Sequence, residues 1–286
     1  VNDAHRAPLT EEYTAAMLAT EAANRDRVTA LVAAGGGSGD LVAHVAALRL
    51  YLRVPHFLTE WITDRPVRAD VASALALDIV AMKLVDDLMD DDSGLDRVEL
   101  ACLALHLHLT ALRELCRLSH DAQAVADLLQ RDFTTICAGQ IRTKRHRART
   151  LDEWRAHART YGATFLGCYG SLAALAGRLP RALAPARAFA EAFGTVITIA
   201  DDLTDYARDG ERDGNLGHLL RTRAVTPAQV VSLLERLRAR AHAAIREQPA
   251  SRALAPVVDL YTDDVLDRLV PPHVPRPPGP PPPRRP

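Results

Sequence analysis

Leu84-Val85-Asp86-Asp87-Leu88-Met89-Asp90-Asp91-Asp92 closes an apolar run that extends from Val71 to Val85. On a helix, Asp86 and Asp90 are four positions apart and Asp87 and Asp90 three, so one face carries these carboxylates. Like charges crowded at the end of a buried helix repel one another unless a cation neutralises them. A single run of acids would read as a solvated helix terminus, but the pattern recurs. Thr198-Ile199-Ala200-Asp201-Asp202-Leu203-Thr204-Asp205-Tyr206-Ala207-Arg208-Asp209 again sets acids at i, i+1 and i+4 behind an apolar stretch, Phe189 to Ala200, and Asp209 adds a further turn. The clusters lie 115 residues apart. Antiparallel packing of the intervening helices would bring both to one cavity mouth, where hard oxygen ligands suit Mg²⁺ bridged to phosphate oxygens. The chemistry that needs such a site is departure of a diphosphate from a carbon chain held in an apolar pocket. A third string, Asp263-Asp264-Val265-Leu266-Asp267, has little apolar helix to bury it and reads as a solvated helix end.

Outward from these segments, apolar residues recur at three- and four-residue spacing and strand-like alternation is scarce. The periodicity predicts helices over 10–33, 40–53, 69–92, 96–118, 121–141, 151–177, 182–207, 226–247 and 252–268. Thr10 before Glu11-Glu12, and Thr226 before Pro227, are helix-start signals. Gly35-Gly36-Gly37-Ser38-Gly39-Asp40 separates the first two helices. With no internal repeat or central linker, residues 1–270 of the 286 read as one all-α domain, an antiparallel helix bundle. From Pro271 onward 10 of 16 residues are proline. That excludes helix and predicts a disordered, polyproline-like tail over 271–286.

Composition narrows the partners. Hydrophobic residues make up 48% and charged residues 25%, the balance of a globular chain. A net charge of −1 supplies no field for nucleic acid or anionic lipid. No run reaches the roughly 20 unbroken apolar residues of a membrane span. Val1-Asn2-Asp3-Ala4-His5-Arg6 lacks the apolar core of a signal peptide, so a cytoplasmic location is expected. Cys102, Cys116, Cys137 and Cys168 have no CxxC spacing, which points to reduced thiols rather than zinc or disulfides. Of 35 basic residues, only Lys83 and Lys144 are lysine.

The paired clusters resemble those of the trans-prenyl diphosphate synthases and the wider class I terpenoid synthase fold, over roughly residues 30 to 230. Asp86-Asp87-Leu88-Met89-Asp90 resembles the first aspartate-rich motif and Asp201-Asp202-Leu203-Thr204-Asp205 the second. Gly139-Gln140 falls at the family's Gly-Gln pair, and Asp209, Gly214 and Leu216-Gly217 match the loop after the second motif. The resemblance implies the isoprenoid synthase bundle and a prenyl diphosphate substrate. It also implies Mg²⁺ held by Asp86, Asp87, Asp90, Asp201, Asp202 and Asp205, and it admits a homodimer.

The same alignment shows departures. The family's Gly-Lys-Arg loop, which holds isopentenyl diphosphate, reads Gly36-Gly37-Ser38-Gly39. Its arginine pair after the first cluster becomes Leu95-Asp96, with Arg97 adjacent. Its Lys-Thr pair aligns with Tyr161-Gly162, its Phe-Gln with Ile197-Thr198, and its later Gly-Lys with Gly214-Asn215. Retained metal clusters with lost cations imply one diphosphate substrate rather than two. The leading expectation is therefore a class I terpene synthase that ionises a linear C15 or C20 prenyl diphosphate to a hydrocarbon or alcohol. The alternatives are a chain-elongating prenyl diphosphate synthase and, third, a silent regulatory subunit of one.

Other residues carry weaker signals. The basic run Arg142 to Arg149 reads either as a lid over the diphosphate or as a solvated loop, and Arg208 and Arg212 flank the second cluster. Gln140 and Tyr161 are further substrate-side candidates. In the resembled family, a bulky residue at the positions of Ala81 and Met82 shortens the accommodated chain, so the small Ala81 implies room for C15 or C20. Asp78 shares a helix face with Met82 and Asp86 and reads as a carbocation stabiliser or proton acceptor or, more simply, as a buried acid paired with arginine. Trp61, Trp154 and Phe165 read as core. His106 and His108, two apart, make no metal pair.

Overall fold

The computed structural model describes residues 9–90, 93–209 and 215–269, and the proposed tail lies outside them. Among the described residues there is no strand. The helices are α1 (Glu11–Ala34), α2 (Gly39–Ala47), α3 (Arg49–Leu58), α4 (Arg65–Asp90), α5 (Arg97–Leu118) and α6 (Ala122–Arg145). They continue as α7 (Leu151–Ala158), α8 (Thr164–Ala176), α9 (Leu183–Asp209), α10 (Asn215–Arg221), α11 (Pro227–Arg246) and α12 (Ala255–Leu269). The fold is the expected all-α antiparallel bundle.

The start signals act as their chemistry dictates. Thr10 Oγ1 accepts the Tyr13 N–H at 3.2 Å. Thr226 and Gln229 cap each other reciprocally, with Pro227 at the first helical position. Three expectations shift. The helix expected over 40–53 divides at Leu48, whose ψ of 51° leaves the helical region. Beyond that break, α3 docks on α1: buried Glu21 takes Arg49 at 3.0 Å and Arg53 at 2.9 Å, and Asn24 Nδ2 donates to the Leu52 carbonyl at 2.8 Å. The helix expected over 151–177 widens into a π-helical turn at Arg159–Ala163. The short α10 was not among the expected helices.

Two apolar clusters share α4. One joins it to α1, α2 and α5 through residues such as Val28, Leu41, Leu77, Ala81 and Leu103. The other contains Phe57, Trp61, Trp154, Tyr169, Phe189 and Phe193. Each such large side chain contributes about 1.5–3 kcal/mol on full burial. Trp61 and Trp154 are core, as expected, and Phe165 is half-buried with its ring edge-on to Tyr169 at 4.9 Å. Pro180–Thr204 is long and apolar enough to cross a membrane by length and composition, although Arg187 and Glu191 interrupt it. It is 61% buried within the bundle, where α9 packs against α8, α10, α11 and α12. All four cysteines are free thiols.

The third aspartate string departs from expectation. Because α12 packs on α9 and α11, it buries Val258, Thr262, Val265 and Leu266, and Asp263 is half-buried in an ion pair with Arg238. Only Asp264 and Asp267 are exposed, with Asp264 paired to Arg268 at 2.6 Å.

Candidate active site

α4 delivers the first cluster. Burial of Val71 and Ala72, of Ala74 to Ala81 and of Leu84 fixes this helix to the turn from which Asp86 and Asp90 emerge half-buried. Asp87 faces inward. Its Oδ1 takes the Lys83 ammonium at 2.7 Å, and its Oδ2 hydrogen-bonds His44 Nε2 of α2 at 2.8 Å. Lys83 also donates to Asp86 Oδ2 at 2.9 Å. Burial works against the charge on Lys83, but Asp86, Tyr51 and Asp87 outweigh it and raise its pKa, so the ammonium persists at neutral pH. Burial lifts the Asp86 carboxyl above the usual range; Lys83 opposes this, and Asp90 and Asp87 add to it. Asp90 pairs with Lys144 of α6. A chain with 35 basic residues thus places both of its lysines on this one cluster.

α9 delivers the second. Asp201 is exposed, whereas Asp202 is buried. Asp202 Oδ2 accepts the Trp154 Nε1–H at 2.6 Å and the Leu216 N–H at 3.0 Å, tying α9 to α7 and α10. Tyr51 of α3 feels charges of both clusters. Burial raises the pKa of its hydroxyl; Asp201, Asp86 and Asp87 push the same way, and Lys83 opposes them with its ammonium 6.0 Å from the ring centre. Carboxylates from α4 and α9 therefore act on one hydroxyl. The side chains of Asp205 and Arg208, and the whole of Arg212, lie outside the described residues.

The remaining candidates divide. Gln140 is one turn before Lys144 on α6, and Lys144 meets Asp90, so Gln140 shares the face turned toward the α4 end. Beside it, a Cβ on Gly139 would fall 2.4 Å from Thr160 Oγ1, and one on Gly162 would fall 2.0 Å from Thr198 Oγ1. The two glycines let α6 and α9 close on the π-helical turn that carries half-buried Tyr161; such turns are frequent at functional sites. Arg142, two residues from each of Gln140 and Lys144, points elsewhere. It lines a cavity of about 510 Å³ with Arg131, Arg159 and Arg187. Ala81 is fully buried in the cluster shared by α1, α2, α4 and α5, and Met82 packs against it.

Asp78 is buried, and among the described residues no arginine pairs with it. Tyr169 donates its hydroxyl to it at 3.0 Å, and His108 Nδ1 lies 2.6 Å away, a bond that raises the histidine's pKa. The α2 loop also differs from a cation-bearing one. Ser38 donates its hydroxyl at 2.7 Å and its N–H at 3.2 Å to Glu99 of α5, and Asp96 caps α5 by accepting from Val98 at 2.8 Å and Glu99 at 2.9 Å. Sequence reasoning missed Lys83, His44 and Tyr51, and held Lys144 only as one member of the basic run 142–149. Lys83 was detectable at i+3 and i+4 spacing from Asp86 and Asp87; no local signal marks His44 or Tyr51.

For Mg²⁺, Asp86, Asp90 and Asp201 are hard oxygen donors with access to solvent, the first two paired with Lys83 and Lys144, while Asp87 and Asp202 are buried against protein partners. Among the described residues, no three His, Cys, Asp or Glu side chains are already grouped to hold an ion.

No family model matches the chain, and no curated protein matches it significantly. Solved structures do. A polyprenyl synthase from Roseobacter denitrificans superposes with a TM-score of 0.64 at 17% identity, covering 91% of this chain and 100% of that one. A geranyltranstransferase from Methanosarcina mazei gives 0.65 at 15% identity over 87% of this chain and 96% of that one. A decaprenyl diphosphate synthase from Rhodobacter capsulatus gives 0.66 at 16% identity over 87% and 98%. These superpositions over nearly the whole length show that the chain carries the fold of these solved prenyl synthases.

Proposed function

We propose that this chain is a Mg²⁺-dependent enzyme of the isoprenoid class that binds a prenyl diphosphate and carries out prenyltransferase-type chemistry between α4 and α9. What carries this reading is the fold shared with solved prenyl synthases, together with the charges of Asp201, Asp86 and Asp87 all acting on Tyr51. Asp86, Asp90 and Asp201 would hold the metal, joined by Asp205, with water and diphosphate oxygens completing its shell. The ion would neutralise the departing diphosphate. Asp87 and Asp202, assigned with the other aspartates by resemblance, serve better as supports: their carboxylates are spent on Lys83 and His44, and on Trp154 and Leu216. Lys83 holds Asp86 and Asp87 in register, and Gln140 and Tyr161 face the substrate. Arg142 drops from this set by its position in the other cavity. Ala81 and Met82, packed on the α5 side, would limit chain length only by displacing that packing.

Two reactions suit this site. The proteins of similar fold are named as a polyprenyl synthase, a geranyltranstransferase and a decaprenyl diphosphate synthase, which favours the chain-elongating reaction over the cyclising one. The second reading, ionisation of a single allylic diphosphate to a terpene, is favoured by one observation: the loop at the family's isopentenyl diphosphate position has no cation and is bonded to Glu99. Two diphosphates side by side need fixed positive charge. Incubation with Mg²⁺ and C10, C15 or C20 diphosphates, with and without isopentenyl diphosphate, separates them by mass spectrometry. A C5-extended diphosphate establishes elongation. A hydrocarbon or alcohol, indifferent to added isopentenyl diphosphate, establishes the second reading. No diphosphate release from any substrate rejects both.

A homodimer fits the exposed apolar stripe of α5, where Val98, Leu105 and Leu109 fall on one face. Light scattering should give a dimer mass for the native chain and a monomer mass for Leu105→Glu combined with Leu109→Glu. A native monomer at micromolar concentration would remove this partner.

A further inference from the structure

Asp78, His108 and Tyr169 come from α4, α5 and α8 and meet in the interior. The Asp78 side chain is 2% exposed and Tyr169 is fully buried, whereas the His108 side chain is 27% exposed. A carboxylate only accepts hydrogen bonds. Asp78 Oδ1 therefore takes the His108 Nδ1–H at 2.6 Å, and Oδ2 takes the Tyr169 hydroxyl at 3.0 Å. That keeps a proton on Nδ1 in either state of the ring, so His108 gains and loses its charge at Nε2.

The neighbouring helices supply no substitute for that charge. On α4, Lys83 already pairs with Asp86 and Asp87. On α8, burial pushes the pKa values of Tyr169 and Cys168 well up, so both stay neutral. On α6, the Phe133 ring lies 6.1 Å from the imidazole, and the adjacent Asp132 is held by Arg131 and by Arg187 of α9. On α1, Arg27 is taken by Glu114 of α5. Charged His108 thus gives the buried carboxylate an ion pair. Neutral His108 leaves it two hydrogen bonds and no compensating charge, which a low-dielectric interior penalises.

We propose that Asp78, His108 and Tyr169 form a pH-sensitive latch: protonated His108 holds α5 on the buried carboxylate of α4, and loss of the Nε2 proton loosens that junction. The direction follows from linkage. The hydrogen bond to Asp78 raises the pKa of His108, burial opposes it, and the Asp78 charge adds to the rise. Stability from such a histidine is complete below its unfolded pKa of about 6.5 and is lost as pH climbs through the folded one. His242 and Asp259 provide the contrast. They lie 2.8 Å apart, but the Asp259 side chain is 44% exposed, so water stabilises its charge in either state of the histidine. The inference goes beyond the proposed function and does not rest on it, because it is read from stability rather than turnover.

The test compares the native chain with His108→Asn, whose amide can still donate to Asp78 but carries no charge at any pH. In thermal melts from about pH 5.5 to about pH 9, the native protein should be the more stable at the acid end, by roughly 2–4 °C in Tm, and the gap should close as pH rises. His242→Asn should keep the native profile. By NMR of ring-labelled histidine, the His108 resonance, identified by its absence from His108→Asn, should titrate with a midpoint above 6.5. If that variant does not fold, Phe133→Leu identifies the resonance through the lost ring current of a neighbour 6.1 Å away, and the midpoint decides. The proposal is overturned by a midpoint at or below 6.5, by a stability gap that does not change with pH, or by His242→Asn abolishing the pH dependence equally.

Discussion

Asp86→Ala and Asp201→Ala are each expected to lower turnover of an allylic diphosphate by on the order of 10²-fold or more, and Asp86→Ala should do so without loss of stability. The two halves of that statement have separate causes. Each side chain offers a hard carboxylate oxygen from one side of the gap sensed by Tyr51, so each removes charge stabilisation that matters most as diphosphate leaves. The fold itself, however, disfavours the Asp86 anion: burial raises its pKa, Lys83 opposes this only in part, and Asp90 and Asp87 add to the rise. A carboxyl whose pKa is higher in the folded state contributes less stability when ionised than when neutral, so at neutral pH its deletion relieves the fold. A group retained against stability is the mark of a functional site. Circular dichroism melting beside a diphosphate-release assay checks both halves. Asp264→Ala, in the third aspartate string, is the control and should move neither, since an exposed ion pair contributes about 0–1 kcal/mol. Near-wild-type turnover in Asp86→Ala and Asp201→Ala would remove these aspartates from the reaction.

Lys83→Met is expected to destabilise the metal-free protein by about 2–3 kcal/mol, somewhat below the 3–5 kcal/mol of a fully buried broken ion pair, because the lysine side chain is 20% exposed. The substitution keeps the length of the aliphatic stem and strips the charge from between Asp86 and Asp87. Asp87 keeps only His44. For a domain of this size the loss corresponds to a fall in Tm of roughly 5–10 °C. Mg²⁺ should then restore more of the variant's Tm than it adds to the native protein, because the ion no longer competes with an ammonium for the same carboxylates, and ligand bound only to the folded state stabilises it by mass action. Equal Mg²⁺ shifts in the two proteins would show that Lys83 and the metal do not share a site.

The sequence alone determined the helical class, because the three- and four-residue spacing of apolar side chains is a property of the chain itself. It also determined the two aspartate stripes, since i and i+4 positions share a face on any helix, and the starts at Thr10 and Thr226, where a hydroxyl three residues upstream meets an orphan N–H. What each aspartate does was decided only by tertiary structure. Adjacent letters, Asp86-Asp87 and Asp201-Asp202, point about 100° apart on their helices, and the surrounding bundle turns one of each pair inward onto His44 or Trp154. Asp78 found Tyr169 and His108 rather than an arginine because those partners come from helices 91 and 30 residues away. The break at Leu48 is of the same kind: no glycine or proline marks it, and docking of Arg49 and Arg53 on Glu21 of α1 redirects the helix. Residues Arg142 to Arg149 read in sequence as one basic run, yet the helix end sends Lys144 to Asp90, while Arg145 at the helix terminus and Arg147 and Arg149 beyond it line a separate cavity. Local spacing fixes which side chains travel together along a helix; only the packing of one helix on another fixes what they meet.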